Sequence, residues 1–133
     1  DKTHSELTFA DWKRTMDVNL HGPFLAIWAV KDNMVKQKYG RIVNISSIAA
    51  TTQPRPTAID YATSKSALNS FTRHISAALA PDGIRVNCVA PGLTATELAL
   101  SANPGNTDNI IKVTPMQRIG QVCLTHHLRF CVR

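Results

Sequence analysis

Tyr61 and Lys65 stand four residues apart, the spacing that sets two side chains one above the other on a helix face. A phenol ordinarily keeps its proton until about pH 10 and is a poor base at neutrality. An ammonium group within a few ångströms favours the phenolate and lowers that value. The pair is therefore a physical route to general acid–base chemistry near neutral pH, although the same spacing serves ordinary surface helix pairs. Ser47 falls at the carboxyl end of an apolar segment, and open α/β sheets keep their ligand crevice outside such strand ends. A hydroxyl there can donate to a substrate oxygen that gains negative charge. Ser46 and Ser47 read equally well as turn residues that cap the strand. Asn19 is a poor choice for a helix interior. Pro23, four residues later, has no N–H to give its carbonyl. That carbonyl is expected at a local kink, facing water or a ligand, and could hold a water molecule. The plain alternative is a proline kink in a surface helix, with Gly22 beside it.

The elements that must position these groups follow from periodicity. Thr8 and Asp11 form a Thr-x-x-Asp start signal that resembles a capping box with a shortened acid. Phe9, Trp12, Met16, Leu20, Phe24 and Trp28 then recur every three or four residues, which predicts one apolar face of a long helix running to about Lys38. Gly40 is expected to stop it. Arg41 to Ser47 reads as a short buried strand, with Ile42, Val43 and Ile45 supplying β-branched character. Residues 51–58 carry Pro54 and Pro56 and are expected to be a loop. Helical spacing returns from about Asp60 to Leu79 through Leu68, Phe71 and Ile75, and Pro81, Asp82 and Gly83 close it. Ile84 to Val89 is a second apolar strand, broken by Pro91-Gly92. A helix-containing crossover from Ser47 to Ile84 joins parallel strands and should be right-handed. From Ser101 the composition turns polar, as in a mobile loop.

Bulk properties narrow the classes. Apolar content of 44% with 18% charged residues is that of a globular domain rather than a disordered chain. The net charge of +6 could favour an anionic partner, but the basic residues are scattered. The one grouping, Lys31, Lys36, Lys38 and Arg41, sits where a helix should end and cations are favoured anyway. No nucleic-acid role is expected. Cys88, Cys123 and Cys131 are too few and too irregular for a disulfide framework, so a reducing, cytoplasmic setting is expected. No apolar run approaches the roughly 20 residues that span a bilayer, and no membrane association is expected. The opening residues look nothing like a signal peptide, and a start without Met suggests a fragment or processed product.

Four segments carry a family resemblance. Asp-Val-Asn-Leu-His-Gly (17–22), Gly-Arg-Ile-Val-Asn-Ile-Ser-Ser (40–47), Tyr-Ala-Thr-Ser-Lys (61–65) and Ile-Arg-Val-Asn-Cys-Val-Ala-Pro-Gly (84–92) resemble the classical short-chain dehydrogenases in order and spacing, over residues 8 to about 121. The resemblance implies an α/β fold, a Rossmann-like doubly wound parallel sheet present only in part as its catalytic half. It implies an NAD- or NADP-dependent oxidoreductase that moves hydride between the nicotinamide and a small alcohol or ketone. Asn19, Ser47, Tyr61 and Lys65 would be the catalytic tetrad. Tyr61 would exchange the proton, Ser47 polarise the substrate oxygen, Lys65 hold the nicotinamide ribose and acidify Tyr61, and Asn19 bind a relay water. Pro91, Gly92, Thr94 and Thr96 resemble the turn that fixes the nicotinamide carboxamide and adjacent phosphate. Residues 97–114 resemble the substrate lid. Helices matching residues 9–38 and 60–79 form the dimer face in this family, which implies a homo-oligomer, dimer or tetramer.

Two departures stand beside these matches. The family's G-x-x-x-G-x-G loop and Asn-Asn-Ala-Gly segment are absent, and the first four strands would lie upstream of Asp1. After Gln121 the chain reads Val-Cys-Leu-Thr-His-His-Leu-Arg-Phe-Cys-Val-Arg, which matches nothing in the family. Cys123, His126, His127 and Cys131 fit no common zinc spacing, so no metal is expected. The expected organisation is residues 1–121 as the catalytic half of a dinucleotide-binding domain and 122–133 as an unassigned tail. Half a sheet leaves an unpaired strand edge, so the isolated chain is expected to be weakly stable or self-associating and to bind cofactor poorly. The rival reading is a truncated, non-catalytic family member that only associates with full-length subunits.

Overall fold

A computed structural model describes residues 2–51, 58–97, 101, 105 and 107–121. They fall into two compact units, Asp1–Ala90 and Pro91–Arg133. In the first, Thr8 caps helix α1 (Phe9–Met16) as a full capping box. Its hydroxyl accepts from the Asp11 amide at 3.2 Å, and the Asp11 carboxylate accepts from the Thr8 amide at 3.1 Å. Lys2 and Thr8 also donate to that carboxylate and hold it far below the usual carboxylate range.

The long helix expected over residues 9–38 is two helices. A π-helical turn, Asp17–His21, separates α1 from α2 (Gly22–Gln37), and the Gly22 amide bonds the Asp17 carbonyl five residues back. Pro23 sits in the first turn of α2, directly after the π turn. The sequence pointed to a kink here, and a widened turn is the form it takes.

The predicted apolar face is also revised. Phe9 is 80% exposed and Trp28 44%, while Ile27 is the α2 residue that reaches the core, at 3%. A strict four-residue repeat advances about 400° per step, so it drifts roughly 40° around an α-helix each time. Phe24 and Trp28 end up stacked on each other, ring centroids 4.2 Å apart, with Phe24 only reaching Phe71 at 6.0 Å.

Gly40 does not end α2. Lys38 does, in the left-handed region at φ 52°, with its amide on the Met34 and Val35 carbonyls. Gly40 instead opens strand β1 (Gly40–Ile45) where two elements crowd it. A Cβ there would meet Met34 Sδ at 2.6 Å and Ile84 Cγ2 at 2.9 Å.

β1 pairs in parallel with β2 (Ile84–Val89), Gly40 opposite Ile84 and Ile45 opposite Val89. The Ser46 amide adds a further rung to the Val89 carbonyl at 2.7 Å. Between the strands run a 3₁₀ turn (Ile48–Ala50), helix α3 (Ile59–Leu79) and a second 3₁₀ turn (Ala80–Asp82) closed by Gly83. α3 lays Ile75 and Leu79 in one cluster with Ile84 and Val86, with Phe71 partly buried beside them, and buries Leu68 on the same stripe, as its periodicity predicts. Along β1, Gly40, Ile42 and Asn44 face inward while Val43 (41% exposed) and Ile45 (55%) lie on the other side. Among the described residues the sheet has two strands, which leaves β1 with an open edge.

In the second unit, Thr94 bridges Gly120 in parallel, and the Ala95 amide meets the Gly120 carbonyl at 2.7 Å. The polar stretch after Ser101, expected as a loop, contains helix α4 (Thr107–Val113). Asp108 in its first turn and Lys112 in its last complement the helix dipole, a local signal that the surrounding Asn, Pro and Gly obscured. The proline loop (52–57), part of the expected lid and the tail from 122, with its Cys and His residues, lie outside the described residues. Among the described residues no helix is long and apolar enough to cross a membrane.

Candidate active site

All four residues proposed for chemistry belong to the first unit. α3 starts with Ala58 in the left-handed region at φ 61°, a strained conformation for alanine three residues before Tyr61. Tyr61 and Lys65 follow on successive turns, and the Lys65 ammonium lies 5.7 Å from the centre of the Tyr61 ring. Tyr61 is 37% exposed, so its phenol is not sealed in the core.

Lys65 reaches the end of the sheet. Its Nζ donates to the Ile45 carbonyl, the last of β1, at 2.9 Å, and its own carbonyl accepts from Ser46 Oγ at 3.2 Å. Burial pushes the amine below its ordinary value, against an opposing pull from the neighbouring Cys88. An ammonium has three donors. With one on Ile45, the others suit a pair of adjacent hydroxyls such as those of a ribose.

Ser47 follows directly. Its Oγ accepts from the Ala49 amide at 3.1 Å and caps the 3₁₀ turn. The capping role and a chemical one are compatible here. A hydroxyl that accepts from a fixed amide is held in place, and its own proton can still be donated outward.

Asn19 occupies the π turn. Its Nδ2 donates to Ser64 Oγ at 3.1 Å, and Ser64 Oγ donates to the Tyr61 carbonyl at 2.7 Å. Ser64, fully buried, thus ties the widened turn to the first turn of α3. Asn19 and Tyr61 line one open groove of about 520 Å³ between these elements. Thr15, also on the groove, donates to Asp60 at 2.5 Å.

Sequence reasoning missed Ser64, Thr72 and Asn44. Ser64 and Thr72 flank Leu68 on the buried stripe of α3, and Asn44 donates inward to Thr72 at 2.9 Å. Polar residues at apolar positions of a periodic pattern were the available signal.

Pro91, Gly92, Thr94 and Thr96 lie in the second unit. Thr94 Oγ1 donates to the Gly92 carbonyl at 3.3 Å, and the Thr96 amide to the Thr94 carbonyl at 2.8 Å.

Comparison with known proteins gives this arrangement a setting. The family model described as short chain dehydrogenase matches residues 1–107. A 3-oxoacyl-[acyl-carrier-protein] reductase of Synechocystis is 39% identical over 111 residues, covering 84% of this chain and 43% of that protein. A galactitol 2-dehydrogenase of Rhizobium johnstonii is 41% identical over 119 residues, covering 86% and 46%. Among solved structures, a 3-oxoacyl-[acyl-carrier protein] reductase of Brucella melitensis superposes with a TM-score of 0.87 at 39% identity, over 96% of this chain and 48% of that one. A gluconate 5-dehydrogenase of Burkholderia cenocepacia, in complex with NADP and tartrate, gives 0.84 at 36% identity, over 91% and 48%. The chain spans about half the length of the relatives it matches.

Proposed function

The chain belongs to the short-chain dehydrogenase family, and from that premise we propose that residues 1–121 are the catalytic half of an NAD(P)-dependent oxidoreductase acting on a small alcohol or ketone. The nicotinamide, when bound, supplies the hydride exchange at the substrate carbon. Relatives solved with NAD and with NADP support either cofactor.

The chain's own residues supply the proton chemistry. The Tyr61 hydroxyl gives its proton to the substrate oxygen on reduction and takes it back on oxidation. Ser47 donates to the same oxygen and steadies the charge that develops there. Lys65, its ammonium 5.7 Å from the centre of the Tyr61 ring, holds the ribose hydroxyls. The Asn19 carbonyl, denied a helical partner by Pro23, holds the water through which the proton leaves. Pro91, Gly92, Thr94 and Thr96 hold the carboxamide and phosphate side of the cofactor. A cytoplasmic setting is part of the same reading and rests on the sequence, where Cys88, Cys123 and Cys131 are too few and too irregular for a disulfide framework. The carrying observation is Lys65, which stands beside the Tyr61 ring and reaches the last carbonyl of β1.

The complete enzyme is read as a homo-oligomer, dimer or tetramer; a second reading is a non-catalytic member of the family that only associates with full-length subunits. Leu25 at 63% exposure and Phe9 at 80% favour a covered helix face. One experiment separates the two. Tyr61→Phe in the intact protein should remove most turnover, by a hundredfold or more, and leave cofactor affinity nearly unchanged. Full activity in that variant refutes the assigned role. Wild-type protein that co-purifies with a full-length relative, yet transfers no hydride, favours the second reading.

A further inference from the structure

The groove that holds Asn19 and Tyr61 is lined along one side by a single face of α1 and the π turn. Asp11, Arg14, Thr15 and Asn19 recur there at helical spacing, opposite Asp60 and Tyr61 of α3. The carboxylates on this surface are already engaged. Asp11 is bonded by Lys2 at 2.8 Å and by Thr8, and Asp60 accepts from Thr15 at 2.5 Å. Lys2 is spent on the same contact with Asp11. Arg14 is the cation left over, for its guanidinium has no ion pair or hydrogen bond among the described residues. An unpaired positive charge thus lines the same groove as the proposed proton donor.

We infer that Arg14 is a specificity-determining residue that holds an oxyanion, carboxylate or phosphate, on the substrate while Tyr61 works on its carbonyl. This deepens the proposed oxidoreductase reading and rests on it. The planar guanidinium can grip either oxyanion with two parallel hydrogen bonds. Arg14 and Asn19 are five residues apart, a rise of about 7 Å along a helix. Arg14, Asn19 and Tyr61 line one groove, so the anion and the carbonyl can belong to one small molecule such as a keto acid or keto phosphate. Arg14 also lies in the last turn of α1, where any cation is favoured. That positional role would not distinguish an acid from its ester.

The test uses the intact protein with saturating NADPH or NADH and two matched pairs of probes. These are 5-oxohexanoate with its methyl ester, and dihydroxyacetone phosphate with dihydroxyacetone. Dissociation constants come from calorimetry with the oxidised cofactor, and KM and kcat from hydride consumption. Wild-type protein should bind the anionic member of at least one pair tenfold or more tightly than the neutral one, and which pair it is identifies carboxylate or phosphate. Arg14→Gln should erase that preference, raise KM for the anion about tenfold and leave kcat within twofold. Arg14→Lys should restore part of it. No preference for the anion in either pair overturns the inference, as does an Arg14→Gln effect equal on both members. A changed oligomeric state in Arg14→Gln, read by analytical ultracentrifugation, overturns it too and assigns the groove to a subunit contact. Tyr61→Phe in parallel keeps the failures apart. If it stays active, the catalytic reading falls. If it is inactive while Arg14 discriminates nothing, only this inference falls.

Discussion

Ser64→Ala isolates the one contact through which the π turn is fastened to α3. The change removes a single oxygen from a fully buried site, so packing is little altered. Two hydrogen bonds go with it. The Tyr61 carbonyl, at 2.7 Å from Ser64 Oγ, keeps its place in the α3 backbone ladder and loses little. The Asn19 amide loses its acceptor at 3.1 Å in a part-buried position, and an unmet donor of that kind costs about 1–2 kcal/mol. For a chain of 133 residues that corresponds to a Tm lower by roughly 4–8 °C. The measurement is a double-mutant cycle on the intact protein, with Ser64→Ala, Asn19→Ala and both together, each followed by denaturant unfolding and by turnover. If the reasoning holds, the double variant is no less stable than Asn19→Ala alone, and the coupling is about 1 kcal/mol. Turnover should fall in Ser64→Ala because Asn19 is no longer held, while substrate KM stays near its original value. Additive losses, within about 0.3 kcal/mol, would refute the link between the two residues.

Two further outcomes follow from the backbone and from burial. Gly83 has φ +76° and a Cβ there would lie 2.4 Å from the Lys38 carbonyl oxygen, so Gly83→Ala should cost about 2–4 kcal/mol. Gly105→Ala, at φ +78° with open space around it, should cost only about 1 kcal/mol, and equal losses in chemical denaturation would sink the overlap argument. Lys65 is held below its ordinary value by burial, so its charged form weighs against folding, and that penalty fades as pH rises from the lowered value towards 10.5. The stability of wild type relative to Lys65→Met should therefore increase between neutral pH and about pH 10.5, and a flat or falling difference in paired unfolding curves would contradict the burial.

Much of the first unit was legible from local pattern. The start at Thr8, the buried stripe Leu68–Ile75–Leu79 and the strand Ile84–Val89 each arise from capping, 3.6-residue periodicity or a β-branched run. The proposed site was legible for the same reason. Tyr61 and Lys65 are one helical turn apart on α3, and the Asn19–Pro23 spacing pointed to a break where the π turn lies. The wrong expectations share a feature too. Phe9 and Trp28 were placed by spacing on one apolar face, which the chain's own core leaves exposed, and Gly40 was assigned to a helix end by residue type.

What the sequence by itself determined about this chain is the two strands, the helix between them, their order and the parallel sense of the strands. These depend on residues near one another along the chain, or on the length of a crossover. Tertiary structure alone decided that Gly40 is needed for the approach of Met34 and Ile84, that Lys38 turns the corner beside Gly83, and that Ser64 joins Asn19 to Tyr61. Each of those includes a contact between residues far apart in sequence, and a residue's type carries no record of which distant neighbour will fill the space beside it.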